Sequence, residues 1–208
     1  MITQTQKVLE SKAKLALKKL LLSQSETDEK ELNLLVDKFE LIAFKKNEII
    51  LKEGDRYQHL YFIYKGIVRM FFHKNKKLVI ERFEKEGGFF GMNYAQLIDM
   101  PGVHNFEALE DGVMLRIRHA DFGKLCQSFH SIERLYRINL EILHGNYVKR
   151  FYTFSTMTSE ERYHQFMHEY GDIGNRVPLK FIANYLGMTS ETLSRIRAKY
   201  DKSFRVTS

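Results

Sequence analysis

Between about residue 41 and residue 118 the sequence breaks into short β-rich runs: Glu48–Leu51, Leu60–Tyr64, Ile67–Phe72, Leu78–Phe83 and Val113–Ile117. Glycine or charged turns separate them, at Gly54-Asp55, Lys65-Gly66, His73–Lys77, Gly87-Gly88 and Asp111-Gly112. Many short strands with turns at this spacing predict a β-sandwich, jelly roll or barrel. An all-β layer in mid-chain then has to be reconciled with flanks of a different texture.

Both flanks read as helical. In residues 5–40, Val8, Leu15 and Leu22 recur at heptad-like spacing, and Leu32, Leu35 and Phe39 at helical spacing. Ser25, with Asp28 three residues on, predicts the start of the second helix. The basic amphipathic stretch 7–22 suits either a membrane surface or a solvated helix packed on its own domain, and the second is the expectation. After the β region, no glycine occurs from Lys124 to His144, while Ile132, Leu135, Ile138 and Ile142 keep helical spacing. One helix of roughly 25 residues would span about 37 Å. Such a helix needs a partner for its apolar stripe, and a second copy is the simplest one. Leu135, Ile138 and Ile142 are therefore the expected dimer interface, with Asn139 and Asn146 on or near the stripe. Thr158 and Glu161 have capping-box spacing, and Pro178 stands where a further helix can begin.

Composition narrows the class. The chain has 208 residues, 44% hydrophobic and 28% charged, enough for a buried core in one large or two small domains. The net charge of +7 suits nucleic acid, an anionic membrane or plain solubility. The single cysteine, Cys126, excludes an internal disulfide and a four-thiolate cluster within one chain. No stretch approaches the roughly 18 apolar residues of a membrane span. The lysines at 7, 12, 14, 18 and 19 run on through apolar positions, with no uncharged core of signal-peptide length behind them. The cytoplasm is the expected compartment.

The segment from Pro178 to Lys199 carries the sharpest motif. Ala183 is small where two helices must cross, and Gly187 follows four residues later, where a chain leaves a helix in a left-handed turn. Thr189 then caps a new helix, with Glu191 in its first turn beside the positive end of the dipole. Leu193 and Ile196 point that helix inward. This is the helix-turn-helix pattern, whose second helix enters the major groove of DNA. The opposite face presents Ser190, Glu191, Ser194, Arg195 and Arg197. Over 189–205, Arg195, Arg197, Lys199, Lys202 and Arg205 stand against only Glu191 and Asp201. Positive charge thus gathers where phosphates would lie.

With these residues in view, the chain resembles the cyclic-AMP receptor/fumarate-nitrate regulator (CRP/FNR) family over nearly its whole length. Glu53-Gly54-Asp55 followed by Leu60 to Val68 resembles the opening of that family's β-roll. Gly88-Phe89-Phe90-Gly91 resembles the lead into its phosphate-binding cassette, and Ala108 to Asp111 the strand leaving it. Ser190 to Ile196 resembles the recognition helix. The resemblance implies a cytoplasmic homodimer that binds a palindromic double-stranded DNA operator and acts on RNA polymerase. It implies DNA contacts from Thr189, Ser190, Glu191, Thr192, Ser194, Arg195, Arg197 and Lys199. The candidate effector pocket comprises Gly88, Gly91, Met92, Asn93, Gly102, Val103, His104 and Asn105.

Departures from the family pattern qualify the effector. Where cyclic-AMP-binding members have a glutamate for the ribose hydroxyl, this chain has Met92. Where they have an arginine and a serine or threonine for the cyclic phosphate, it has Gly102 and Val103. A phosphate without a guanidinium loses its strongest partner, so an effector other than cyclic AMP is expected. The oxygen-sensing branch needs several cysteines and is excluded by Cys126 standing alone. Ser190 replaces the family's first recognition-helix arginine, so a different operator sequence is implied.

The expected fold is α+β. N-terminal helices and a jelly-roll-like β-roll sensor fill 1–118, a long dimerisation helix 119–157, and a helix-turn-helix, winged-helix-like domain 158–208. Two other readings stay open: a ligand-sensing β-roll that signals through protein contacts without DNA, and a cupin-like metalloenzyme. The second needs converging histidines, and His59, His73, His104, His119, His130, His144, His164 and His168 include no pair one residue apart. Neither catalysis nor a metal nor another cofactor is expected, and no membrane partner.

Overall fold

The structure, a computed structural model, describes residues 4–91 and 101–206, with the backbone alone for 200–206. The described residues fall into two compact units, 4–70 with 83–143 and 71–82 with 144–206.

The first unit opens with α1 (Gln4–Gln24) and α2 (Glu29–Asp37). Asp28, not Ser25, caps α2: its carboxylate accepts from the backbone N–H groups of Lys30 at 2.9 Å and Glu31 at 3.1 Å. The Ser25 hydroxyl donates to the Glu26 carbonyl instead. The strands follow: β1 (Glu40–Phe44), β2 (Ile49–Leu51), β3 (His59–Lys65), β4 (Val68–Lys74), β5 (Lys77–Glu84), β6 (Phe89–Phe90), β7 (Asn105–Ala108) and β8 (Gly112–Arg118). They form two four-stranded sheets, ordered β1-β8-β3-β6 and β2-β7-β4-β5, the jelly-roll-like arrangement the turn spacing predicts.

β3 shows why its sequence is apolar throughout. Side chains alternate across a strand, and here both faces are covered. Leu60 and Phe62 join Leu115 and Ile117 of β8 in a core closed by Ala13, Leu17, Leu21, Leu32 and Leu35 of the N-terminal helices. Tyr61 and Ile63 face the other way, into the sandwich interior with Met114, Phe90 and Phe106. The β3/β8 register, with Phe62 opposite Leu115 and Ile63 opposite Met114, sorts the two sets. β1 falls where the sequence texture changes and is not among the predicted strand runs. Its antiparallel pairing with β8, from Glu40 opposite Arg116 to Phe44 opposite Gly112, makes it a strand.

The long helical stretch is two helices. α3 (His119–Ser128) stops at Phe129, an extended residue with φ −135° and ψ 109°, and α4 (His130–Thr156) starts beyond it. Ile132 and Leu135 of α4 are buried in the helix-covered core of the first unit. The division between units falls within α4, a boundary that no change of sequence texture marks.

The second unit holds the rest of α4, α5 (Ser159–Tyr170), α6 (Leu179–Tyr185), α7 (Ser190–Val206) and most of the β4–β5 hairpin, Phe71–Arg82. Thr158 and Glu161 form the expected capping box on α5. Ile173, Val177, Ile182, Ala183, Leu186 and Leu193 are buried in this unit. Asn184 binds the hairpin as a strand would: its amide accepts from Ile80 N–H at 2.7 Å and donates to the Leu78 carbonyl at 2.8 Å. Arg150 donates to the carbonyls of Ile80 and Tyr185. Among the described residues from 157 to 206 there is no strand, so a helix-turn-helix is seen there without a wing. Among the described residues, no helix is long and apolar enough to cross a membrane.

Candidate nucleic-acid interface and effector pocket

The two helices of the motif are joined as the sequence requires. Gly187 adopts φ +65°, and the Met188 N–H donates to the Ala183 carbonyl at 3.0 Å, closing the end of α6. A Cβ at Gly187 would also lie 2.8 Å from the Phe154 ring, so the position excludes a side chain twice over. Thr189 caps α7, its hydroxyl oxygen accepting from the Thr192 N–H at 3.2 Å. Glu191 lies at this helix start. Its own backbone N–H, then the Thr189 hydroxyl, hold its carboxyl below the ordinary carboxylate value, and Arg195 adds to the effect.

Leu193 is fully buried and Ile196 nearly so, which fixes the rotation of α7. Glu191, Ser194, Arg195 and Ala198 then share an exposed face at i, i+3, i+4 and i+7. Ser190 and Thr192 are half-buried at its margin. Arg197 and Lys199 are engaged within the unit: Arg197 donates to Asn175 Oδ1 at 3.1 Å and Lys199 pairs with Glu160 at 2.9 Å. Such exposed contacts contribute little and exchange readily. His164 and His168 are both exposed on α5, and among the described residues no group of three metal-ligating side chains forms.

Of the dimer residues, Leu135 needs correction. It is 2% exposed, inside the core of its own chain, and is not available to a second copy. Ile138 is half-buried and Ile142 is 48% exposed. Further along α4, on other faces of the helix, Val148, Phe151 and Tyr152 are exposed too, with Phe151 the most open at 76%. The sequence assigns none of these three to the dimer interface.

Met92 and Asn93 lie outside the described residues. Gly88 and Gly91 bracket β6, and Gly91, at φ +84°, brings the backbone so close to the His59 carbonyl that a Cβ would stand 2.4 Å from it. His119, at the start of α3, places Nε2 3.0 Å from the Gly91 carbonyl oxygen. Gly102 is buried, accepts from Gly54 N–H at 2.7 Å and donates to Asp55 at 2.9 Å. Asn105 accepts from the Glu53 N–H at 3.1 Å, and the His104 carbonyl accepts from the Tyr57 hydroxyl. Val103 is 54% exposed.

Aromatic rings fill the sandwich interior beside these backbone turns. Tyr61 stacks on Phe90 at 4.8 Å, Phe90 on Phe106 at 5.1 Å, and Tyr57 meets Phe106 edge-on at 5.9 Å. All four are buried. The candidate pocket read from sequence includes none of them, since buried aromatics on strands carry no signal beyond core.

Residues 41–129 match the family model described as the cyclic nucleotide-binding domain. No curated protein matches the sequence. Among solved structures, FixK2 from Bradyrhizobium japonicum superposes with a TM-score of 0.69 at 20% identity, covering 79% of this chain and 85% of that one. CLP from Xanthomonas campestris, a regulator described as responsive to c-di-GMP, gives 0.66 at 13% identity, covering 85% and 93%. The Thermus thermophilus catabolite activator protein gives 0.55 at 18% identity, covering 88% and 87%. Residues 41–129 are therefore similar to a cyclic nucleotide-binding domain, and a helix-turn-helix lies further along the chain. Its fold is similar to that of these three structures.

Proposed function

We propose that this protein is a cytoplasmic homodimeric transcription regulator of the CRP/FNR type, binding a palindromic DNA operator and acting on RNA polymerase. The observation that carries this is α7: Leu193 and Ile196 are buried while Glu191, Ser194 and Arg195 stand together in the open. Arg195 reads a base edge, and Ser190, Glu191, Thr192 and Ser194 shape the specificity around it. Thr189 sets the helix start against the backbone, and Arg197 and Lys199 exchange their internal partners for phosphates.

The dimer forms along α4 through Ile138 and Ile142. Their exposed apolar surface supports this, as does the spacing of about 34 Å that a two-fold pair of recognition helices must match. The effector is not cyclic AMP: the rings of Tyr57, Phe106, Phe90 and Tyr61 support a β-roll that fills its own interior. The protein has no catalytic role in this reading.

Selection from random duplexes with the purified protein tests it, and an enriched palindrome is the expected result. No enrichment, with or without cell extract, would leave the β-roll as a module signalling through protein contacts alone.

A further inference from the structure

The second unit contains a cleft of about 60 Å³ bounded by β5, α4, α5 and α6. Four cationic side chains line it, Arg82, Lys149, Arg150 and Arg162, against the carboxylates of Glu81 and Glu169. Glu169 is already committed, since it pairs with Lys149 and accepts from Gln165. Arg150 and Arg162 are held by aromatic rings, backbone carbonyls and the Ser159 hydroxyl rather than by carboxylates. Arg150 lies 4.0 Å from the Tyr185 centroid and 4.6 Å from that of Phe154, Arg162 lies 5.3 Å from the same Phe154 ring, and Arg82 5.8 Å from Tyr147.

Two like charges converging on one ring repel unless an anion offsets them. Arg162 carries a further sign of a missing acceptor. Its terminal nitrogens donate to the Met157 carbonyl and the Ser159 hydroxyl, while its Nε–H is buried with no hydrogen-bond partner among the described residues. Buried polar groups are nearly always satisfied, and a charged one above all. The planar fork of arginine suits tetrahedral oxyanions, and the volume suits one phosphate group rather than a nucleotide.

We propose that this cleft binds a phosphate-sized oxyanion, either free phosphate or the phosphate group of a small monoester. The site is separate from the β-roll interior and from the exposed face of α7. Bound there, the anion neutralises Arg150 and Arg162 and bridges β5 to α5, so it stiffens the unit that carries the helix-turn-helix. None of this depends on DNA binding.

Calorimetry on the full chain in a chloride background tests it, with sodium phosphate and phenyl phosphate as separate probes. Saturable binding of one anion per chain is expected, weakened about tenfold or more by Arg162→Gln and by Arg82→Gln and unchanged by Arg195→Ala on the recognition helix. Tighter phenyl phosphate binding assigns the site to a monoester, and binding of phosphate alone assigns it to the free ion. If circular dichroism shows Arg162→Gln unfolded, Arg82→Gln decides. Absence of saturable binding at tens of millimolar overturns the proposal, as does binding lost in Arg195→Ala but intact in both cleft variants.

Discussion

Tyr57 stands directly against Gly102: a Cβ on this glycine would lie 2.1 Å from the tyrosine Cζ. The family resemblance puts a phosphate-holding arginine at this position. Here a glycine backbone gives way to a ring, and the ring is tied down by the hydrogen bond from its hydroxyl to the His104 carbonyl. Burial pushes the Tyr57 hydroxyl above its ordinary pKa, so it stays a neutral donor at physiological pH.

Gly102→Ala should therefore destabilise the first unit by about 1–3 kcal/mol, the cost of forcing an extra methyl into a packed site. Calorimetry with cyclic AMP and cyclic GMP at millimolar concentration should give no saturable heat on the native chain. A low micromolar dissociation constant, with a matching gain in operator affinity, would show that the aromatic stack yields to a nucleotide.

On the recognition helix, Arg195→Ala should cost about 1–3 kcal/mol of operator binding and relax specificity at one position per half-site. Lys199→Ala should weaken binding evenly across sequences and flatten the salt dependence. Electrophoretic shifts on the selected operator and single-base variants, at two ionic strengths, separate the two. Equal behaviour of both variants would remove Arg195 from the reading role.

Neighbouring apolar positions of α4 should respond differently to substitution. Replacing Ile138 and Ile142 together by aspartate should give folded monomers that lose operator affinity, read by light scattering and circular dichroism. Leu135→Ala should instead lower the stability of the fold itself by about 2–5 kcal/mol, since it opens a cavity in the chain's own core. A wild-type monomer at micromolar concentration would sink the dimer.

Stability should fall as the solution becomes more acid than pH 6.5. Burial holds the His119 imidazole below its ordinary 6.5, opposed in part by the Gly91 carbonyl. Burial and then Arg116 and Arg118 do the same to His59. The unfolded chain then binds more protons than the folded one, so the contribution is intact above 6.5 and is lost as pH drops through the lower folded-state values. Denaturant titrations between pH 5 and 8 should show this slope, and His119→Gln should reduce it. An unchanged slope in that variant would remove His119 as a cause.

Cys126 should be slow towards thiol reagents. Burial, with Glu133 nearby, pushes its thiol up to about 11. At pH 8 only roughly a thousandth of it would be thiolate, the reactive form. Alkylation of the native chain at the rate of a free cysteine would contradict the burial.

Much of this architecture was written locally. The strand runs and their turns, the Thr158 capping box, the left-handed Gly187 and the inward Leu193 and Ile196 each follow from a few neighbouring residues, and the structure shows them as expected. Their physics is short-range: side-chain alternation, capping hydrogen bonds and a backbone torsion only glycine adopts without strain. What the sequence left open depends on partners far along the chain. Glu40–Phe44 is a strand because β8 pairs with it, and Leu135 is core because α1 and α2 cover it. Tyr57 fills the β-roll because Gly102 makes room, and Asn184 finds its partners at Leu78 and Ile80. Contacts across tens of residues leave no local periodicity, and only the folded chain decided them.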